Sequence, residues 1–175
     1  YDTIVSLSGS LKKAMNKDWD DLQIFGSFEP NINDEIKSIE NSQVFDLSSI
    51  NQIGPFTVSF HQTLHPVETY AIRLEVDNKS IVYTADTAYC EKLIKFSKDA
   101  DLLITESSLY PGFDGTQSGH MNVDEAIQFG KKTNARNIVL SHLPSYGPIE
   151  KMHESVQNSG QENIIFAEPR MKIIV

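Results

Sequence analysis

From Ser80 onward the chain alternates two kinds of segment: SIVYTA, CEKLIKFSKDA, DLLITESS, VDEAIQFGKKTN, NIVLSHL, IEKMHESVQNSG and NIIF. The first, third, fifth and last are short runs rich in Ile, Val and Leu, as in buried strands. The others space their apolar residues at helical intervals. Such alternation predicts an α/β fold, because each helix covers a sheet face that its flanking strands create. Upstream, FTVSF sets Phe56, Val58 and Phe60 on one face of a strand. TYAIRLEV reads as a second strand, joined through an Asp77-Asn78 turn to SIVYTAD. The hairpin makes the sheet antiparallel in part. Asn122 and Glu125 form a capping-box pattern for a helix packing through Val123, Ala126, Ile127 and Gly130. NIIFAEP and MKIIV read as closing strands. Before Ile53 the pattern is weaker: SLKKAMNKDWDDLQIF predicts a helix carrying Leu11, Met15, Trp19 and Leu22, and VFDLSSI a short strand or turn.

Composition narrows the functional classes. The chain has 175 residues, 39% hydrophobic and 22% charged, enough for a packed domain rather than a disordered one. Its net charge of −9 argues against broad nucleic-acid binding. Cys90 is the only cysteine, so neither an internal disulfide nor a thiolate zinc cluster is available, and a reducing cytoplasm is the expected location. No apolar run approaches the roughly 20 residues needed to span a bilayer. The first residues lack the apolar core of a signal peptide, and the chain begins with Tyr1 rather than Met, which suggests a processed or partial chain.

Three polar residues follow strand-like runs: His65 after FTVSFHQTL, Asp86 after SIVYTA and His142 after NIVLS. Strand ends deliver side chains to one edge of an α/β sheet, where ligands collect. Two imidazoles and a carboxylate there suit Zn²⁺ or Mn²⁺. Each has a structural alternative: a turn histidine before Pro66, a helix N-cap at Asp86, and a strand-end histidine before Pro144. His120 precedes a helix on a glycine-bearing loop, placed to donate a proton to a leaving group. Glu106 ends another buried strand and is placed to orient His120. His61, within a strand, and His153, on a polar helix, read as structural, and Cys90 as a small packed residue.

The run HPVETYAIRLEV, then VYTADT, DLLITESS and GHMNVDEAIQFGKKTNARNIVLSHL, resembles the C-terminal part of metallo-β-lactamase-fold hydrolases. It is most similar to the ribonuclease Z-like branch, over residues 53 to 175. The resemblance implies an α/β, four-layer αββα fold, represented by its later part with a mixed sheet and flanking helices. It also implies metal ligands at His65 and His142, a metal-bridging Asp86, and His120 as the group that protonates the leaving oxygen. Two zinc ions, or manganese, would activate a water to attack a phosphodiester, ahead of a lactone, thioester or lactam. The family's leading His-x-His-x-Asp-His run is absent, since the first histidine is His61. Residues 1–175 are therefore expected to be one truncated domain, lacking ~70 to 90 residues for a domain of usual size, and inactive by itself. The expected partners are a small phosphodiester or nucleotide-like substrate, with no membrane. A homo-oligomer or the missing N-terminal part would cover the inner sheet face. The short turn between TYAIRLEV and SIVYTAD leaves no room for the long tRNA-gripping insertion of the tRNA-processing enzymes.

Three rivals stand beside this reading. One is a non-catalytic half-fold that pairs with another chain. Another is a nucleotide-binding doubly wound domain, which the lack of a glycine-rich phosphate loop after any strand disfavours. The third is an α/β domain whose histidines are incidental.

Overall fold

Asp77 and Asn78 both adopt left-handed backbone, φ 49° and 61°. Two such residues in succession make the tight turn whose twist matches the strands it joins, so the hairpin expected at this point forms. The computed structural model describes Leu22–Phe25, Ser42–Phe45 and residues 50–175. The chain divides into two compact units, residues 1–50 and 51–175.

In the first unit, strand β1 (Leu22–Phe25) pairs in parallel with β2 (Ser42–Phe45), Leu22 opposite Ser42 and Phe25 opposite Phe45. The helix expected over SLKKAMNKDWDDLQIF is therefore wrong for its last four residues. LQIF carries a β-branched and an aromatic residue in a short run, and ladder pairing overrides the weak helical spacing. Leu11, Met15 and Trp19 lie outside the described residues. Val44 and Phe45 of VFDLSSI fall within β2.

The second unit is built on a seven-stranded sheet of β3 (Gln52–Ile53), β4 (Phe56–Gln62), β5 (Tyr70–Val76), β6 (Lys79–Tyr83), β7 (Leu102–Glu106), β8 (Asn137–Ser141) and β9 (Ile164–Phe166), in sequential order. The first four are antiparallel neighbours, and β6 to β9 run parallel. Helices α1 (Glu91–Phe96), α2 (Val123–Thr133) and α3 (Ile149–Asn158) make the three parallel crossovers. Strand order advances one way throughout, so right-handed crossovers put all three helices on one face. Val82, Leu103, Ile138 and Ile164 lie in register across that face and pack with Leu93, Phe129 and Met152 of the helices. Each such buried side chain contributes roughly 1.5 to 3 kcal/mol.

Asn122 caps α2 with the full reciprocal box: its side chain accepts from the Glu125 N–H, and Glu125 accepts from the Asn122 N–H. Phe129 and Thr133 join the expected packing face of this helix. MKIIV does not form a closing strand. Pro169 lacks an N–H, Arg170 turns at φ 66°, and the ladder with β8 ends at Phe166. Among the described residues, no helix is long and apolar enough to cross a membrane.

Candidate metal centre

Strand polarity decides which side chains can meet. Because β5 is antiparallel to both β4 and β6, the C-terminal ends of β4, β6, β7 and β8 lie on the same sheet edge. His65 follows β4, Asp86 follows β6, Glu106 ends β7, and His142 follows β8 directly. His120 returns to this edge on the connection from β7 to α2.

The His65 loop is closed and fastened. Thr63 N–H donates to the Thr69 carbonyl at 2.9 Å, and Thr63 Oγ1 donates to the Asp86 carbonyl at 2.8 Å. Leu64 N–H donates to Thr87 Oγ1, and Ala88 N–H to the Leu64 carbonyl. These bonds hold His65 beside Asp86. His65 Nδ1 faces the Val67 carbonyl at 3.0 Å and Thr69 Oγ1 at 3.2 Å. Its own turn thus occupies Nδ1 and leaves Nε2 as the nitrogen available to a ligand.

Glu106 is 1% exposed, so its carboxylate must be satisfied inside the protein. Oε1 accepts from Thr87 N–H at 3.1 Å and lies 2.9 Å from His120 Nδ1. Oε2 accepts from Ser108 N–H at 3.0 Å and Ser108 Oγ at 2.9 Å. Four contacts use its acceptor positions, so Glu106 orients His120 and is not a free ligand. A carboxylate partner makes Nδ1 the protonated nitrogen of neutral His120 and leaves Nε2 open. The orienting part expected for Glu106 matches this geometry.

His120 is the middle of three rings. Its centroid lies 5.4 Å from His65 and 5.4 Å from His142, both edge to face. His142 Nδ1 lies 3.0 Å from Asp86 Oδ1. One candidate ligand atom from each of His65, Asp86 and His120 falls within 4.8 Å of the others, and the same holds for Glu106, His120 and His142. Imidazole nitrogens and a carboxylate at this spacing fit a borderline divalent cation. Asp86 does not cap the following helix, whose N-cap position is Cys90. His61 packs on Phe96 and His153 on Phe166, and neither falls in these groups of potential ligand atoms.

Three features here escape sequence reasoning. Ala85 and His142 both take positive φ, 52° and 53°. Such backbone is uncommon outside glycine and gathers at functional sites. Gly119, at φ 80°, lets the His120 loop lie against His65. Tyr83 ends β6 near two carboxylates: burial first, then Asp86 and Glu106, pushes its phenol above the ordinary value. The hydroxyl therefore stays a neutral donor through physiological pH. A tyrosine late in a strand gives no signal of this in sequence, because burial, the largest cause, and Glu106 come with the folded sheet, and Asp86 alone is local.

The model for the beta-lactamase superfamily domain matches residues 15–143. The chain belongs to the beta-lactamase superfamily. YhfI of Bacillus subtilis, named a probable metallo-hydrolase, is 43% identical to this superfamily member over 113 residues, 63% of this chain and 46% of YhfI. The crystal structure of YhfI, a metallo-beta-lactamase fold protein, superposes with a TM-score of 0.79 at 30% identity, covering 91% of this chain and 66% of that one. Ribonuclease Z of Pyrococcus abyssi is 45% identical over 62 residues, 35% of this chain and 20% of that protein. A zinc phosphodiesterase ELAC protein 2 homolog of Caenorhabditis elegans is 35% identical over 77 residues, 43% of this chain and 9% of that protein. The chain thus spans less than half the length of each of these curated relatives. The mixed seven-stranded sheet with flanking helices is that of the metallo-β-lactamase fold, as the resemblance implied.

Proposed function

We propose that this superfamily member serves as a metal-dependent hydrolase of a small phosphodiester, with His65, Asp86 and His142 as its share of the metal ligands and His120 as proton donor. The observation that carries this is that potential ligand atoms of His65, Asp86 and His120 gather in one group, while His142 Nδ1 meets Asp86 Oδ1 at 3.0 Å and His120 is anchored to buried Glu106. Two bound divalent ions, zinc by preference, would supply a water activated near neutral pH and an electrostatic clamp on the phosphoryl oxygens. The chain's own residues supply the rest. Glu106 fixes the His120 ring through Nδ1, which leaves Nε2 placed to pass a proton to the departing oxygen. Tyr83 offers a neutral hydroxyl beside the same carboxylates. The names of the ribonuclease Z and zinc phosphodiesterase relatives favour a phosphodiester and zinc. The acidic balance and the short Asp77-Asn78 turn favour a small substrate over a long nucleic acid. One cysteine suits a reducing cytoplasm.

The sequence holds no His-x-His-x-Asp-His run, so residues 1–175 by themselves are expected to bind zinc and to turn over bis(p-nitrophenyl) phosphate only feebly. Calorimetric titration with Zn²⁺ tests the reading. Stoichiometric binding that Asp86→Asn and His142→Ala each weaken at least tenfold supports it. A wild-type chain that binds no Zn²⁺, or variants that bind as the wild type does, sinks it.

A further inference from the structure

Among the described residues, eight large apolar side chains stand exposed. Four of them, Leu64 (49%), Val67 (68%), Phe113 (60%) and Tyr146 (82%), lie on the three loops that carry His65, His120 and His142. Scattered singly, exposed apolar residues need no explanation; gathered on the loops of one polar cluster, they do. The loops are not loose. Val67 is held by the contact of its carbonyl with His65 Nδ1. Phe113 N–H donates to the Tyr110 carbonyl at 3.2 Å, and the Phe113 carbonyl accepts from Asn122 Nδ2 at 2.7 Å. The Tyr110 hydroxyl in turn donates to the carbonyl of Tyr146, while its ring packs against the core. Tyr110 thus ties the Phe113 loop to the Tyr146 loop through backbone groups and leaves both aromatic side chains to solvent.

We infer that Tyr146 forms a stacking platform for a planar heteroaromatic ring of the substrate, a nucleobase. The proposal rests on the phosphodiester reading above, and it names the substrate as nucleotide-like and Tyr146 as the residue that selects it. Tyr146 lies four residues after His142, at most about 14 Å along the backbone, on the loop that carries that candidate ligand. Aromatic faces on anchored backbone lose little conformational freedom on binding, whereas the flexible, Met-rich surfaces that grip alkyl chains work by repacking. Stacking of a base on one aromatic side chain is worth about a tenfold change in affinity or more.

The test compares adenosine 5′-monophosphate with ribose 5-phosphate by calorimetry, on the full chain in the presence of Zn²⁺. The two share a phosphate and a sugar and differ in the base. The expected result is binding of the nucleotide at least about tenfold tighter. Tyr146→Ala should remove that preference and leave ribose 5-phosphate affinity unchanged, while Tyr146→Phe should keep it. Tyr146 is largely exposed, so truncation leaves the fold intact, as circular dichroism of Tyr146→Ala will record. Equal affinities in the wild type, failure of both probes to bind, or a base preference that survives Tyr146→Ala overturns the platform. A dimer that Tyr146→Ala dissociates would assign the rim to a second copy and overturn it as well. The Zn²⁺ titration separates the two proposals. Metal binding without base preference defeats only the platform. Base preference that depends on Tyr146 without metal binding defeats only the hydrolase reading.

Discussion

Gly119 and His65 approach so closely that a Cβ on the glycine would lie 2.5 Å from His65 Cδ2 and 2.8 Å from His65 Cα. The second distance involves backbone, which cannot swing aside. Gly119 also has φ 80°, where a side chain is strained. Gly112, on the same loop at φ 82°, would meet nothing within 4 Å. The pair separates strain from contact. Gly112→Ala should cost about 1 kcal/mol, the conformational part alone. Gly119→Ala should cost about 2 to 4 kcal/mol, because the clash adds to it, and should weaken Zn²⁺ binding by moving His65 or His120. Urea denaturation of both variants checks the first expectation and metal titration the second.

Glu106 holds two loops as well as one ring. Replacing it with Gln keeps the volume and leaves one acceptor oxygen where four donor contacts now meet two. Its NH₂ would face the Thr87 and His120 donors or the Ser108 donors. Losing charged-group hydrogen bonds in a buried site costs about 1.5 to 3 kcal/mol. Glu106→Gln should therefore lower stability by that amount and free the His120 ring. Nuclear magnetic resonance of the His120 ring nitrogens should show loss of the fixed Nδ1–H tautomer, an effect that a purely structural glutamate would not produce.

Much of this was legible in sequence because strand ends are local. The runs before Asp86 and His142 name their own strands, and parallel order then puts their ends together. The Asn122–Glu125 box and the Asp77-Asn78 turn are likewise local chemistry, read from neighbouring residues. What stayed hidden needs distant partners. LQIF pairs with Ser42–Phe45 rather than continuing a helix, and MKIIV finds no strand partner. The four donors to Glu106 come from three segments, and the raised pKa of Tyr83 depends first on burial and then on Asp86 and the distant Glu106. The strained backbone at Ala85 and His142 leaves no mark in sequence, since neither is glycine.

Asp101 supplies a pH-dependent contribution away from the metal centre. The Ser80 N–H, donating at 3.0 Å, is the main cause that lowers its pKa, with Lys79 and Arg136 adding to it. A carboxylate whose folded pKa lies below its unfolded one stabilises the fold fully above the unfolded value, about 3.9, and less as pH falls through the folded value. Asp101→Asn should therefore be less stable than the wild type by a constant margin from about pH 5 to 8. That margin should shrink as the pH drops below about 4. Denaturation midpoints of the two proteins across this range decide it; a margin that grows on acidification would mean that another group dominates.

Asn122 joins helix α2 to the loop that carries His120, and two substitutions separate its two bonds. Its Oδ1 accepts from Glu125 N–H at 3.0 Å, which caps the helix, and its Nδ2 donates to the Phe113 carbonyl at 2.7 Å, which tethers the loop. Asn122→Ala removes both and should cost about 1 to 2 kcal/mol, the cap supplying about 1 of it. Asn122→Asp keeps an acceptor for the cap, and its charge suits a helix N-terminus. It replaces the donor facing Phe113 with an oxygen, so the tether is lost and carbonyl and carboxylate repel. The aspartate variant should thus retain most of the stability that alanine loses, while amide hydrogen exchange of residues 113 to 119 speeds up equally in both. Because His120 N–H donates to the Gly115 carbonyl at 3.0 Å within that loop, loosening it should also broaden the His120 ring signals. Fast exchange confined to the alanine variant would show that the loop is held by the helix cap and not by the tether.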